Sequence, residues 1–266
     1  MTKRIISAIV ALIILIPIII DGGVLFNIVA YLIGMLGLKE FMDVKSKKKE
    51  LPTLIQIIAY IFMTLITLVD VNSLSTLYSL DYRILASLFL AFLIPAVIYH
   101  DKKKYSIKDA FYMIGGVLFL GISIALLIML RNMDLKLFVF LFTITIVTDT
   151  FAYISGCLIG KHKLLEEISP KKTWEGMIIG TIMGVFVSAM FYHTCINPEF
   201  SKIYLLIICT FLSLLGQFGD LTFSAIKRYF GVKDFGKIMP GHGGILDRLD
   251  SIIFVILGFT FFITIL

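Results

Sequence analysis

Nine stretches of this chain are apolar and long enough to lie in a lipid bilayer, near residues 5–20, 23–43, 51–70, 83–99, 107–130, 135–160, 174–194, 201–229 and 250–266. A hydrocarbon core of ~30 Å takes about 20 residues of helix to cross. No water is present there to satisfy backbone N–H and C=O groups, so each span must satisfy its own. The predicted fold class is therefore all-α: a polytopic membrane helix bundle of about nine transmembrane helices. With 59% hydrophobic residues, 16% charged residues and a mean hydropathy of +1.00, a soluble globular domain is excluded. The first stretch follows Lys3 and Arg4 as a signal peptide would, but no small-residue cleavage site comes after it. It is read as the first membrane helix. Cys157, Cys195 and Cys209 lie far apart, which excludes a disulfide framework and a zinc site.

Charge gives an independent check on the count. If nine helices alternate across the membrane, the N-terminus and the links at 39–50, 100–109, 161–173 and 224–248 share one side. Twenty of the 24 lysines and arginines then fall on that side. Only Arg83, Arg131, Lys136 and Lys202 fall on the other. Basic links stay cytoplasmic, so the N-terminus is expected inside and the C-terminus outside. No linker separates domains. The chain reads as one integral-membrane domain, 1–266, with 1–140 a scaffold and 141–266 carrying the chemistry.

Four carboxylates interrupt the apolar pattern toward the cytoplasmic side: Asp149, Asp220, Asp247 and Asp250. An ionised aspartate at the centre of a membrane helix costs ~2.5–3.5 kcal/mol on insertion scales, so such groups persist where they pair, bind metal or line a wet cavity. Ser213, Gln217, Asp220, Ser224 and Lys227 recur at helical spacing and share one face of the eighth helix. For Ser213 and Gln217, interhelical hydrogen bonding is an equal reading. Thr145, Asp149, Ala152, Gly156 and Gly160 form a stripe of polar-to-small residues on the sixth, of the kind that permits close helix packing.

Two cytoplasmic links carry the positive charge such a site needs. In the 161–176 link, Ser169 before Pro170, or Thr173 before Trp174, can cap the next helix. Lys171 and Lys172 would then stand at a helix N-terminus that already favours an anion. The 224–250 stretch holds Gly231, Gly236, Gly241, Gly243 and Gly244 among Lys227, Arg228, Lys233, Lys237 and Arg248. Glycine backbone and cations suit phosphate, and Asp247 and Asp250 beside them suit a divalent metal bridging to it. His242, set among the glycines, could donate to a phosphate.

These residues fall into a recognisable pattern. Ser224-x-x-Lys227-Arg228, Lys233-Asp234-x-Gly236, Pro240-Gly241-His242-Gly243-Gly244 and Asp247-Arg248-x-Asp250 resemble the signature of the phosphatidate cytidylyltransferases, the CDP-diacylglycerol synthases. Asp149-Thr150-x-Ala152-Tyr153, Gly160-Lys161-His162-Lys163 and Ser169-Pro170-Lys171-Lys172-Thr173-x-Glu175-Gly176 resemble that family's other motif. Cys157 departs from it, standing where a lysine or arginine is common.

The resemblance implies attack of phosphatidic acid on the α-phosphorus of CTP, giving CDP-diacylglycerol and pyrophosphate for phospholipid synthesis. It implies Mg²⁺, with room for a second cation, held by Asp220 and Asp247 with Asp149 and Asp250 alongside. Lys227, Arg228, His242 and Arg248 would act on the reacting phosphates. Ser169, Lys171, Lys172, Thr173, Ser224, Lys233, Gly243 and Gly244 would bind substrate. The expected partners are CTP, phosphatidic acid, membrane lipid and a second copy of the chain as a homodimer, with no nucleic acid. The expected place is the cell membrane, with the site facing the cytoplasm. The competing readings are a CTP-dependent polyprenol or dolichol kinase and a cation-coupled transporter.

Overall fold

The structure is a computed structural model that describes residues 2–67, 82–99, 101, 103–238 and 243–265. Among these residues the nine apolar stretches appear as nine helices: α1 (Thr2–Asp21), α2 (Gly23–Ser46), α3 (Thr53–Thr67), α4 (Tyr82–Ile98), α5 (Ile107–Met133), α6 (Leu135–Ile159), α7 (Trp174–Cys195), α8 (Lys202–Tyr229) and α9 (Leu246–Phe259). Five of them, α2 and α5 to α8, are long and apolar enough to cross a membrane. The last helix begins four residues earlier than the apolar pattern suggests, which places Asp247 and Asp250 in its first turns. The fold is all-α, as expected, and one link adds a small sheet. The 161–173 link forms a two-stranded antiparallel sheet, β1 (Lys163–Leu165) with β2 (Ser169–Thr173).

The chain divides into two compact units, Met1–Met133 with Asp234–Leu246 and Asp134–Lys233 with Asp247–Leu266. In the first, α5 packs against α2, α3 and α4. Charges at the helix ends bring their partners with them. Arg131, on the last turn of α5, donates to the carbonyls of Ile19 and Ile20 that α1 leaves open at its C-terminus. Gly22 turns the chain there at φ +72°, where a Cβ would run into the Arg131 guanidinium. At the other end of α5, buried Asp109 pairs with Lys45 at 2.5 Å and with Lys49. It also accepts from the Ser106 hydroxyl and backbone N–H at 2.7 and 2.9 Å. Phe41 stacks on Tyr112 beside it, ring centroids 4.4 Å apart.

The second unit is built on a seam of small residues. Gly176, Gly180 and Gly184, one turn apart on α7, face Thr148, Ala152 and Gly156 of α6. A Cβ on Gly180 would lie 2.7 Å from both the Ala152 methyl and the Thr148 carbonyl, so the two backbones meet directly. Of the stripe read from the sequence on α6, Ala152 and Gly156 lie in this seam, Thr145 lies near Gly216 of α8 instead, and Thr148 joins the seam from outside the stripe. Helix α8 packs on the pair, tied by Thr148 to Ser213 at 2.8 Å and by Gln217 Nε2 donating to Thr181 Oγ1 at 2.8 Å. Gly219 lets α9 approach so closely that an added Cβ would stand 2.6 Å from the Asp250 carbonyl. Gly180→Val is expected to cost about 1–3 kcal/mol by overpacking, seen as a lower thermal midpoint in detergent. The same change at exposed Ile178 should leave that midpoint within about a degree, as surface substitutions generally do.

Candidate active site

The hairpin and three helix ends converge in the second unit. Thr173 is the residue that caps α7, its side chain accepting from the Gly176 N–H at 3.1 Å. Ser169 therefore opens strand β2 rather than a helix, and Lys171 and Lys172 ride on that strand instead of a first helical turn. Alternation along a strand turns successive side chains to opposite faces. Lys171 is exposed, whereas Lys172 is half-buried and reaches Asp220 on α8 at 2.7 Å. The Lys172 ammonium also lies 3.5 Å from the carbonyl of Gln217, one turn earlier. Ser224, one turn after Asp220, donates to the same carboxylate at 3.3 Å.

One turn beyond Ser224, Lys227 meets Asp247 at 2.7 Å, with side chains only 10% and 5% exposed. Asp149 of α6 senses the charges of Asp220 and Lys172 and faces the Ser251 hydroxyl. Asp250 of α9 senses Asp220, Lys227 and Asp149. Asp149, Asp220 and Asp250 thus lie within electrostatic range of one another, and Lys172 of β2 and Lys227 of α8 reach Asp220 and Asp247. Carboxylates within range of one another at low dielectric disfavour one another's charged form, which nearby lysines offset.

Other cations stay exposed on the adjoining segments. Arg228 donates from Nε to the Ile168 carbonyl at 3.3 Å and from Nη1 to the Val232 carbonyl at 3.1 Å, clasping the hairpin tip to the turn after α8. Lys233 is exposed just past that turn, and Arg248 is exposed on the first turn of α9. His242 lies outside the described residues.

The glycines divide into different duties from those expected. Gly231, at φ +69°, ends α8, with its own N–H on the Arg228 carbonyl at 3.0 Å and that of Val232 on Lys227 at 2.9 Å. This is a helix stop, not an open anion cradle. In the first unit, Gly236 and Gly244 abut the carboxylate of Glu40, a buried residue of α2. Glu40 accepts from the N–H groups of Ile245 and Leu246, both at 3.0 Å. Glu40 was not legible as a site residue. Its only sequence signal is an acid at the end of an apolar run, and its partners are backbone groups some 200 residues away.

Hard carboxylate oxygens are the donor set that Mg²⁺ takes, so the residue types fit that ion. Among the described residues no three His, Cys, Asp or Glu side chains converge as a ready metal cluster, and Asp220 and Asp247 each face a lysine.

A helical scaffold with five helices long and apolar enough to cross a membrane, and with carboxylates and lysines from separate elements paired near helix ends, defines the class as a multi-pass membrane enzyme. The chain belongs to the cytidylyltransferase family, which it matches over residues 2–266. It is similar to proteins named phosphatidate cytidylyltransferase: 38% identical over 261 residues to that of Staphylococcus epidermidis, 36% over 263 to that of Staphylococcus aureus and 35% over 257 to that of Staphylococcus saprophyticus. Each alignment covers 96% of both chains.

Removing one partner of a buried ion pair leaves an uncompensated charge, which costs about 3–5 kcal/mol. Lys227→Met is expected to destabilise the protein by that order in chemical denaturation. Lys227→Met with Asp247→Leu should recover most of the stability while remaining inactive.

Proposed function

We propose that this protein transfers the cytidylyl group of CTP to phosphatidic acid, giving CDP-diacylglycerol and pyrophosphate. The observation that carries this reading is the near full-length similarity to phosphatidate cytidylyltransferases together with the Asp149, Asp220, Asp247 and Asp250 set and its lysines. A phosphate oxygen of the lipid attacks the α-phosphorus of CTP, and the bond from that phosphorus to the bridging oxygen breaks as pyrophosphate leaves. The nucleophile is already anionic, so the step needs little general base. It needs two polyanions lined up and their charge neutralised as it shifts.

In this reading Asp220 and Asp247 hold Mg²⁺, with Asp149 and Asp250 beside them. Bound Mg²⁺ would supply charge neutralisation on the triphosphate. Lys172 and Lys227 fix the two carboxylates. Lys171, Arg228, Lys233 and Arg248 carry exposed positive charge for the phosphates, with Ser169, Thr173 and Ser224 on the hairpin and α8; the family resemblance adds His242, Gly243 and Gly244 to the substrate-binding set. The protein is a multi-pass membrane protein, and we place all nine helices across the cell membrane, with the N-terminus and hairpin cytoplasmic. Two observations support that orientation. Twenty of 24 basic residues fall on that side. Charged contacts also join helix ends that alternation puts on one side: Lys45 and Lys49 of the α2 end with Asp109 of the α5 start, and Arg131 of the α5 end with the last carbonyls of α1.

With phosphatidate, Mg²⁺ and CTP labelled in the base, the purified protein is expected to place label in lipid. Label entering a polyprenol from γ-labelled CTP would instead support the kinase reading. Asp220→Asn and Asp247→Asn should each lower turnover by at least about 100-fold, as loss of a charge-stabilising group does, and near-normal turnover with unchanged magnesium dependence would remove that residue from the metal site. The native thiols test the orientation. Cys157 and Cys195 are both exposed, near opposite ends of the α6–α7 pair, whereas Cys209 is buried. An impermeant maleimide on intact cells should label Cys195 and reach Cys157 only after permeabilisation; the reverse order would invert the topology.

A further inference from the structure

We infer that Glu40 is a positioning residue for the reaction, acting by holding the N-terminus of α9; this rests on the cytidylyltransferase reading. A helix start leaves backbone N–H groups without partners, and a local Ser, Thr, Asp or Asn commonly takes them. Helix α9 has Ile245 before its first residue and lacks such a side chain there. The acceptor comes instead from α2. Glu40 is 2% exposed, and its two oxygens each take one N–H, Ile245 on Oε1 and Leu246 on Oε2, at 3.0 Å. An ionised carboxylate at this end also meets the positive pole of the helix.

Space for that carboxylate is made at two places in the chain. A Cβ on Gly236 would collide with Glu40 Oε1, and a Cβ on Gly244 would lie within 2.7 Å of both oxygens and Cδ. Both glycines, read from the sequence as backbone donors to phosphate, also clear room for an anion that the protein carries itself. Burying a charge is a costly way to gain stability, because desolvation offsets much of what the hydrogen bonds return. A forked, two-point acceptor does fix direction. Asp247 is the next residue after Leu246 and Asp250 lies one turn on, so the angle at which α9 starts sets where its carboxylates lie. The Glu40 carboxylate therefore orients the helix that presents Asp247 and Asp250, without touching substrate.

Glu40→Gln keeps the shape but turns an amide NH₂ toward one of the two donors. Measured in detergent with phosphatidate, CTP and Mg²⁺, it should lower kcat by about 10- to 100-fold, the scale of an ångström misplacement, with KM for CTP within about threefold and most of the thermal midpoint kept. Glu40→Asp should recover part of the loss. The second measurement is a cycle with Gly236→Ala, read as kcat per folded protein. Gly236→Ala should be harmful in the parent and nearly without further effect on Glu40→Ala, where the clash is gone. Parent-like kcat in Glu40→Gln, a kcat loss fully explained by less folded protein, or equal harm from Gly236→Ala in both backgrounds would each overturn the assignment. A parent protein that makes no CDP-diacylglycerol would overturn the activity itself, which separates the two failures.

Discussion

A charge on a membrane helix has little water to turn to, so each one has to arrive with its partner. This protein meets that demand in three ways. Carboxylates take lysines, as Asp109 takes Lys45 and Lys49, Asp220 takes Lys172, and Asp247 takes Lys227. A guanidinium takes the open carbonyls at the end of α1, and Glu40 takes the open N–H groups at the start of α9. The last two pairings complete helices rather than other side chains, so they also determine where those helices begin and end. Remove such partners and the cost is paid in folding before it is noticed in catalysis.

The pairings explain why the second unit can gather so much like charge. Asp149, Asp220 and Asp250 would repel one another if set alone, and the lysines of β2 and α8 are the counterweight. Close approach is what brings the groups within reach. The α6–α7 seam has glycines where side chains would hold the backbones apart, and Gly219 does the same between α8 and α9. Glycine is costly inside a soluble helix but less so where neighbours supply the packing.

Most of the helical framework was legible because its signal is simple. Twenty-odd apolar residues in a row permit few alternatives, and the nine stretches recur as nine helices among the described residues. The face carrying Ser213, Gln217, Asp220, Ser224 and Lys227 was legible from spacing alone, and its members are buried or half-buried in the structure. The hairpin was not. Strand β2 reads Ser-Pro-Lys-Lys-Thr, a composition with little strand preference, and its pairing depends on where the chain returns rather than on local propensity. Glu40 was missed for a related reason: its partners are main-chain groups, which have no letter in a sequence. The glycines of the 231–244 stretch were read as backbone donors for phosphate, and nothing in their spacing announces that a carboxylate from α2 lies next to Gly236 and Gly244.

The hairpin divides two adjacent and chemically identical side chains. Lys172 turns inward and is spent neutralising Asp220, while Lys171, its neighbour, faces out from the strand. To a reader of the sequence they are a single dibasic pair, interchangeable in any scheme that counts charges. In the folded protein they belong to opposite surfaces, and moving the chain by one residue at this point would exchange an internal counterion for an external one without altering the composition at all.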